Sequence, residues 1–167
     1  MGCDCHFYVE RWTSSNNYEG PRDLLEDREQ KISEVLGHTN PKFRWVSCDK
    51  WKKDTDGWYV DWTESLYSDR NYNLFSILAD VRNGNGIEPL DYPRGIPNDA
   101  STGYLFVCHQ WKDDAHSHSY FTLDELLKVD WSPYREYYVD GFLETLEKMK
   151  EIDKDPLNVR CCFFFDN

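Results

Sequence analysis

The sequence predicts an α+β fold in a single domain, with a mixed or antiparallel sheet of about four to six strands packed with three or four helices. Three observations lead to this prediction. Short apolar or alternating segments are interleaved with amphipathic ones, turn-forming residues separate them, and no internal repeat, heptad run or linker divides the chain. Because 167 residues can form one hydrophobic core, we expect a single unit over residues 1–167.

The first predicted element is a strand over residues 3–11, where apolar and polar side chains alternate. Side chains of a strand point alternately to its two faces. The apolar set, expected against the core, is Cys3, Cys5, Phe7 and Val9. The set on the other face is Asp4, His6, Tyr8 and Glu10. This second face is a candidate either for a site or for contact with solvent.

The middle of the chain predicts two helices and a hairpin. A helix is expected from Pro21, a favourable first helical residue, to Gly37, a favourable cap. Residues 43–51 and 58–62 are predicted strands on either side of KKDTDG, whose DG pair is typical of a hairpin turn. The second helix is expected over residues 72–82.

The second helix has Asn71 as its predicted N-cap and ends before NG. Residues 84–103, with three prolines and four glycines, are then predicted to form a long loop. The next segment, YLFVCHQ at 104–110, is predicted to be a buried strand.

The last third of the chain carries clearer signals. Thr122 and Glu125 predict a capping box that opens the helix LDELLKV. A longer helix is expected over residues 132–152 because Ser-Pro is a typical start. The terminal NVRCCFFFDN is nearly all apolar and predicts a strand in the centre of a sheet.

The charge of the chain narrows the classes of partner. Lys and Arg number 19 against 31 Asp and Glu, a formal net charge of -12. Because affinity for DNA and RNA rests largely on neutralised phosphates, long nucleic acid is not expected, whereas a local basic patch would admit a small phosphorylated ligand. The acidity itself fits plain solubility, or alternatively mimicry of nucleic acid or docking on a basic protein.

The six cysteines, without a signal-peptide pattern or a membrane-length apolar run, favour a cytoplasmic protein with unbridged thiols. A rival interpretation is a four-thiolate metal site made by Cys3, Cys5, Cys161 and Cys162. Adjacent strand residues point to opposite faces, however, so Cys161 and Cys162 would need a bulge to reach one ion. Thiols within the core are therefore the favoured interpretation.

The segment DDAHSHSY, residues 113–120, places His116 and His118 two positions apart. In an extended chain they would share a face, and so would Asp4 and His6. Two such pairs on stiff elements suit a metal or hydrolytic site. The alternative is a polar turn beside a polar strand face. Whether the two pairs meet depends on which strands are neighbours, which the sequence leaves open.

Two chemistries are open for these residues. A His-x-His pair with a carboxylate can bind a divalent cation such as zinc or manganese, and the candidate ligands are Asp4, His6, His116 and His118. A metal-bound water would then have its pKa lowered to about 7. Without metal, His116 and His118 would act as acid and base beside Asp114.

Other residues are candidates for ligand binding. Arg94, beside a glycine in the stiff YPRGIP loop, could hold a phosphate or carboxylate, and Arg70 could add positive charge. Trp111 and Tyr120, on either side of the histidine segment, could stack a planar ring. The alternatives are a solvated arginine and ordinary packing at the edge of the core.

Four blocks of the chain resemble a family of small proteins encoded by tailed bacteriophages. They are MGCDCH with Glu10, RNYNLFSILADVRNG at residues 70–84, PRGIP, and DAHSHSYFTLDEL, and together they cover about half of the chain. The resemblance implies a bacteriophage protein acting in the bacterial cytoplasm, and it assigns no catalytic residue. The chain departs from the family pattern at Cys5, where a branched apolar residue is usual.

Three functions follow from these observations. The first is hydrolysis of a nucleotide-like or phosphorylated small molecule at a His/Asp site, with the 84–103 loop as a lid. The second is a sponge that binds and sequesters a nucleotide-derived immune signal, because small bacteriophage proteins often counter host defence. The third is an acidic protein that inhibits a host factor. The aromatic content of 16% is compatible with a homo-oligomer.

Overall fold

The last strand of the chain is the centre of the sheet. The computed structural model describes residues 2–13 and 45–167, and within them four strands pair antiparallel in the order β2-β1-β6-β5. The strands are β1 (Cys5–Trp12), β2 (Trp45–Ser47), β5 (Ala115–Thr122) and β6 (Val159–Asp166). Seven of the eight residues of β6 are buried, so the prediction of a central strand is confirmed.

A hairpin and four α-helices complete the α+β domain in the described part of the chain. The hairpin strands are β3 (Trp51–Asp54) and β4 (Gly57–Val60). The helices are α1 (Tyr72–Ala79), α2 (Thr102–Trp111), α3 (Leu123–Lys128) and α4 (Asp140–Lys150). Short 3₁₀ turns occupy Trp62–Glu64, Lys112–Asp114, Ser132–Tyr137 and Pro156–Asn158. Among the described helices, none is long and apolar enough to cross a membrane.

One face of the sheet packs against α1, α3 and α4 in the larger core. Phe7 and Val9 of β1 lie there with Phe163 and Phe165 of β6, as the alternation of residues 3–11 predicts. The helices contribute buried residues to the same core, among them Leu74, Phe75, Leu123, Phe142 and Leu146. Four of the six cysteines are buried and all six are free thiols, with Cys48 exposed.

The other face of the sheet is covered by α2, which corrects the prediction of a strand over residues 104–110. A short, continuous apolar run fits a buried helix as well as a buried strand, and here the Ser101 side chain accepts a hydrogen bond from the Tyr104 N–H at 3.2 Å and caps the helix. Tyr8 and Glu10 are consequently buried rather than facing solvent. The sheet is thus sandwiched between two layers of helix.

The other predictions made from local sequence patterns are confirmed in part. Asn71 caps α1 and Thr122 forms the capping box with Glu125, both as predicted. The hairpin turn at Asp56-Gly57 forms as predicted, but the strand predicted over residues 43–51 is wrong in part, because residues 45–47 pair with β1 as β2 and the hairpin strand is Trp51–Asp54. Residues 84–101 contain no helix or strand. The predicted helix 21–37 lies outside the described residues.

The helix predicted over residues 132–152 is instead two elements. Tyr138 adopts a left-handed conformation with φ 58°, which ends the 3₁₀ turn before α4 begins at Asp140. The helix predicted over residues 72–82 also ends early, because Asp80 is left-handed and closes α1. The sequence gives little indication of where a residue other than glycine will adopt a positive φ.

A buried ion pair attaches α2 to the two central strands. The Arg160 Nε donates to Glu10 Oε2 at 2.5 Å, and the two side chains are only 5% and 1% exposed. The second oxygen of Glu10 accepts the Ser101 N–H, at the start of α2, at 2.7 Å. Arg160 Nη1 also donates to Asp99 Oδ1, and its guanidinium lies 4.0 Å from the Trp45 ring centroid. One network therefore holds β1, β2, β6 and α2 together.

We expect Glu10→Ala to lower the free energy of unfolding by about 3 kcal/mol, because it leaves Arg160 buried with Asp99 as its remaining carboxylate. Urea denaturation at pH 7 measures the change. The matched control is Glu147→Ala, whose pair with Lys150 is exposed to solvent and should contribute less than about 1 kcal/mol. Equal effects of the two variants would contradict a structural role for the buried pair.

Candidate functional site

A cleft of about 530 Å³ opens where β1 begins and β6 ends. Its floor is formed by residues at the start of β1 together with Asp166, the last residue of β6. Its walls are β4, the 3₁₀ turn at Trp62, the segment 65–70 and the end of α2. Of the residues that the sequence singled out, Asp4, His6, Arg70 and Trp111 line this cleft.

The floor of the cleft carries a histidine–carboxylate pair. His6 Nε2 lies 3.0 Å from Asp166 Oδ2, and the side chains are 20% and 18% exposed. Asp166 is itself fixed, because its Oδ1 accepts the Asp4 N–H at 2.7 Å. If His6 Nε2 donates to the carboxylate, Nδ1 is left with the lone pair that can accept a proton. This is the arrangement of a general base oriented by a carboxylate.

An arginine–carboxylate pair lies beside it. Arg70 donates from Nε and Nη2 to the two oxygens of Asp4, both at 2.6 Å, and this guanidinium holds the pKa of the Asp4 carboxyl below its usual range. Gly2 passes close to the same group, because a Cβ built on Gly2 would lie 2.8 Å from Arg70 Nη1. The guanidinium is therefore held in place although half of it is exposed.

Aromatic rings form most of the remaining wall. Trp111 lies 4.2 Å from the His6 ring, whose other ring neighbour is Phe164 at 4.8 Å. Across the opening, Trp62 is 70% exposed and Tyr59 39% exposed, so neither is used by the core. Exposed rings beside polar groups are typical of a pocket for a planar ligand. Cys5 also borders the cleft, but burial raises the pKa of its thiol, so it is not an activated nucleophile.

His116 and His118 do not share a face, in contrast to the simple alternation expected for residues 113–120. A β-bulge interrupts the pairing of β5 with β6 between His116 and Ser119, and Ser117 has φ 53°. The His116 ring consequently lies 6.2 Å from Phe165 in one core, while the His118 ring lies 5.2 Å from Phe164 in the other. His118 and His6 thus contact the same ring from opposite neighbouring strands.

The two histidines of β5 are half-buried, and each has its Nε2 atom inside the protein. The Nε2 atoms of both are buried without a hydrogen-bond partner among the described residues, and His116 Nδ1 is hydrogen-bonded to Ser117 Oγ at 2.9 Å. Burial, with a smaller contribution from neighbouring His116, lowers the pKa of His118 to about 4. A neutral imidazole near pH 7 is the consequence.

The remaining candidates lie apart from the cleft. Arg94 is bound on several sides: it donates to Asp91 Oδ2 at 2.9 Å, pairs with Glu125 Oε1 at 2.9 Å, and donates to the Tyr120 carbonyl at 3.1 Å. Tyr120 packs against the core that α2 covers. Asp114 is exposed at the end of a 3₁₀ turn. None of the three borders the cleft.

The proposed metal ligands do not converge in the structure. Asp4 is paired with Arg70, His6 Nε2 faces Asp166, and the rings of His116 and His118 lie against different residues of β6. In residues 2–13 and 45–167, no group of three or more His, Cys, Asp or Glu side chains is arranged to hold a metal ion. The thiolate cluster is not assembled either, since Cys161 and Cys162 lie in different cores.

Sequence reasoning missed Asp166, Tyr59 and Trp62. Asp166 reaches His6 only because β1 and β6 pair with His6 opposite Phe164, a register that spans 158 positions of the chain. Tyr59 and Trp62 reach the cleft because the hairpin lies beside it. The sequence does contain one indication of Asp166, because it is an acidic residue at the end of a mostly apolar strand.

No protein-family model matches this chain, and neither a curated protein nor a solved structure matches it significantly.

The pH dependence of stability should report the burial of His118. The folded pKa of about 4 lies below the ordinary value of 6.5, so the unfolded chain binds a proton that the folded chain does not. This contribution is present above pH 6.5 and is lost as the pH falls to about 4. We expect this contribution to lower the free energy of unfolding of the wild type relative to His118→Gln by up to about 2 kcal/mol between pH 7 and pH 4, measured by urea denaturation of both proteins; the figure is below that for full burial because the His118 side chain is partly exposed.

The variant His118→Gln removes this contribution and leaves the opposing one of Asp49, so its stability relative to the wild type should rise as the pH is lowered towards 4. Asp49 supplies an internal control of opposite sign, because burial raises its pKa to about 7 although its Oδ2 accepts the Val9 N–H at 3.1 Å. The stabilisation that Asp49 contributes is present below pH 3.8 and is lost as the pH rises through 7. Asp49→Asn removes this opposing effect, so the free energy of unfolding should depend more steeply on pH through His118. An unchanged profile in His118→Gln would contradict the enclosed histidine.

Proposed function

We propose that this protein binds a nucleotide-like small molecule in the cleft and hydrolyses it with His6 as the acid–base group. The observation that carries the proposal is the His6–Asp166 pair at the floor of a cleft whose opening bears the exposed rings of Tyr59 and Trp62. The proposed acid–base residue is thus His6 rather than His116 or His118, whose Nε2 atoms are buried without a described hydrogen-bond partner.

The charges of the cleft favour a ligand of low charge. Asp4 and Asp166 carry two negative charges and Arg70 one positive charge, so these three side chains make the cleft slightly acidic. A triphosphate would meet repulsion there, whereas a base, a sugar and one phosphate group suit stacking rings and a single guanidinium.

The reaction follows from the geometry of the pair. Nδ1 of His6 takes a proton from a water molecule as the water oxygen bonds to phosphorus, and Asp166 stabilises the imidazolium that forms. The bond from phosphorus to the leaving oxygen breaks, and the same proton passes from Nδ1 to that oxygen. Arg70 lies where it can offset charge on the phosphate oxygens.

A bacteriophage origin, implied by the resemblance of four sequence blocks, would give this activity a biological setting. Cleavage of a nucleotide-derived immune signal would counter a bacterial defence, and the acidic chain suits a small ligand better than long nucleic acid. This setting is part of the proposal.

Sequestration without cleavage is the second candidate function. It is favoured by the environment of His6, whose ring has Trp111 and Phe164 as neighbours within 5 Å, and by the pairing of Arg70 with Asp4. Both side chains are held firmly by the protein, as in a preformed binding site. The same ligand would then bind and be released unchanged.

We expect the wild-type protein to consume at least one member of a panel of 5′-mononucleotides and dinucleoside monophosphates, followed by liquid chromatography and mass spectrometry. His6→Gln should lower kcat by about 100-fold or more while the Kd changes less than about threefold. Asp166→Asn should act similarly, because an amide would donate to Nε2 and leave Nδ1 protonated. His109→Gln, on α2 outside the cleft, is the matched control and should keep full activity.

The outcomes separate the candidate functions. A panel member that binds and is recovered intact after heating the complex would replace hydrolysis with sequestration. Absence of both binding and turnover across the panel would overturn the nucleotide proposal. Equal loss of activity in His6→Gln and His109→Gln would contradict the role of His6.

A further inference from the structure

A second cavity adjoins the cleft. It measures about 430 Å³ and shares Tyr67 and Arg70 with the cleft, so the two form a continuous surface with Arg70 at the junction. Its rim carries Tyr72, 38% exposed, and Tyr138, 84% exposed. Tyr72 is also held by the protein, since its hydroxyl accepts the Cys3 N–H at 3.2 Å and its ring lies 5.7 Å from Phe75, whereas the Tyr138 ring is left to solvent.

Tyr138 is displayed on a stiff turn. Its left-handed conformation, φ 58°, is unfavourable for a bulky residue, and it is held by Asn71, whose Nδ2 donates to the carbonyls of Tyr137 at 3.0 Å and Tyr138 at 3.2 Å. The Oδ1 of the same Asn71 caps α1. The fold thus fixes the backbone of this turn while leaving the Tyr138 ring in solvent.

Arg70 has one nitrogen left for a ligand. Its Nε and Nη2 bind Asp4, whereas Nη1 has no hydrogen-bond partner among the described residues. Gly2 lies beside this nitrogen without a side chain, whereas a Cβ there would come within 2.8 Å of Nη1. A guanidinium bound to Asp4 through its other two nitrogens can still offer Nη1 to one phosphate, and among the described residues no second arginine or lysine lines either cavity.

We propose that the two cavities together bind a dinucleotide, with one base in each cavity and the joining phosphodiester at Arg70. This inference rests on the proposed function and names its substrate class. A phosphodiester carries a single negative charge, which suits the one guanidinium that lies between the rings of the two cavities. A longer strand is disfavoured because each additional phosphate would meet a chain of net charge -12.

The scissile bond is then the phosphodiester itself. Arg70 and His6 line the same cleft, so a phosphate bound to Arg70 would lie in the cleft that also contains His6. The water oxygen bonds to phosphorus, the bond from phosphorus to the 3′ oxygen breaks, and the proton taken up by His6 is delivered to that oxygen. The products are a nucleoside with a free 3′ hydroxyl and a 5′-mononucleotide.

The test is isothermal titration calorimetry with ApA, GpG, UpU and CpC against the matching 5′-mononucleotides. We expect at least one dinucleoside monophosphate to bind about tenfold more tightly than its mononucleotide, because a second stacked base adds about that factor. Tyr138→Asn should remove the tenfold advantage, and asparagine is chosen because it tolerates the left-handed conformation. The control is Tyr92→Ala, an exposed tyrosine outside both cavities, which should keep it.

Each outcome bears on one proposal or on both. A tenfold preference that Tyr138→Asn abolishes and Tyr92→Ala retains supports the dinucleotide. Equal affinity for mononucleotides and dinucleoside monophosphates overturns the dinucleotide but leaves the nucleotide cleft standing. Failure of all eight compounds to bind overturns both. A thermal melt of each variant shows that the fold is retained, and a second variant, Tyr138→Gly, replaces Tyr138→Asn if that variant unfolds.

Discussion

The buried pair of Glu10 and Arg160 is the interaction on which the rest of the arrangement depends. It lies between the two central strands, yet Glu10 also accepts the N–H of Ser101, the N-cap residue of α2, and Arg160 reaches Asp99 in the turn before that helix. The end of α2 is a wall of the cleft and carries Trp111. A pair near one end of β1 therefore orients the helix that encloses the site at its other end. Two desolvated charges are costly unless every polar atom is satisfied, and here all three guanidinium nitrogens of Arg160 and both carboxylate oxygens of Glu10 have hydrogen-bond partners.

The elements predicted correctly are those with local signals. The alternation of residues 3–11, the capping residues Asn71 and Thr122, and the apolar run before Asp166 each act within a few positions of the chain. The segment YLFVCHQ has no such signal, because an apolar run of that length is buried equally well as helix or strand. Because these residues were expected to form a strand, no helix was expected over Tyr8 and Glu10. That face of β1 therefore remained a candidate for contact with solvent.

The candidate site depends on contacts that no local pattern encodes. Asp4 and His6 were expected together, and the structure places both at the cleft, but their partners Arg70 and Asp166 come from distant parts of the chain. The prediction that His116 and His118 share one face of β5 is wrong for a different reason. A serine at positive φ introduces a bulge, and a bulge shifts the side chains that follow it to the opposite face. Serine is not the residue from which such a backbone would be predicted.

The loop that carries Arg94 determines what the free edge of β5 can do. An edge strand normally offers its carbonyls to another chain, but the His118 carbonyl accepts the Gly95 N–H at 2.8 Å and the Tyr120 carbonyl accepts Arg94 at 3.1 Å. The guanidinium also lies 4.3 Å from the Phe121 ring centroid, which shields the strand further. Extension of the sheet from one copy of the chain into the next is blocked along this strand. Self-association through β5 would require the loop to leave first, which protects an aromatic-rich protein from fibre-like stacking at high concentration.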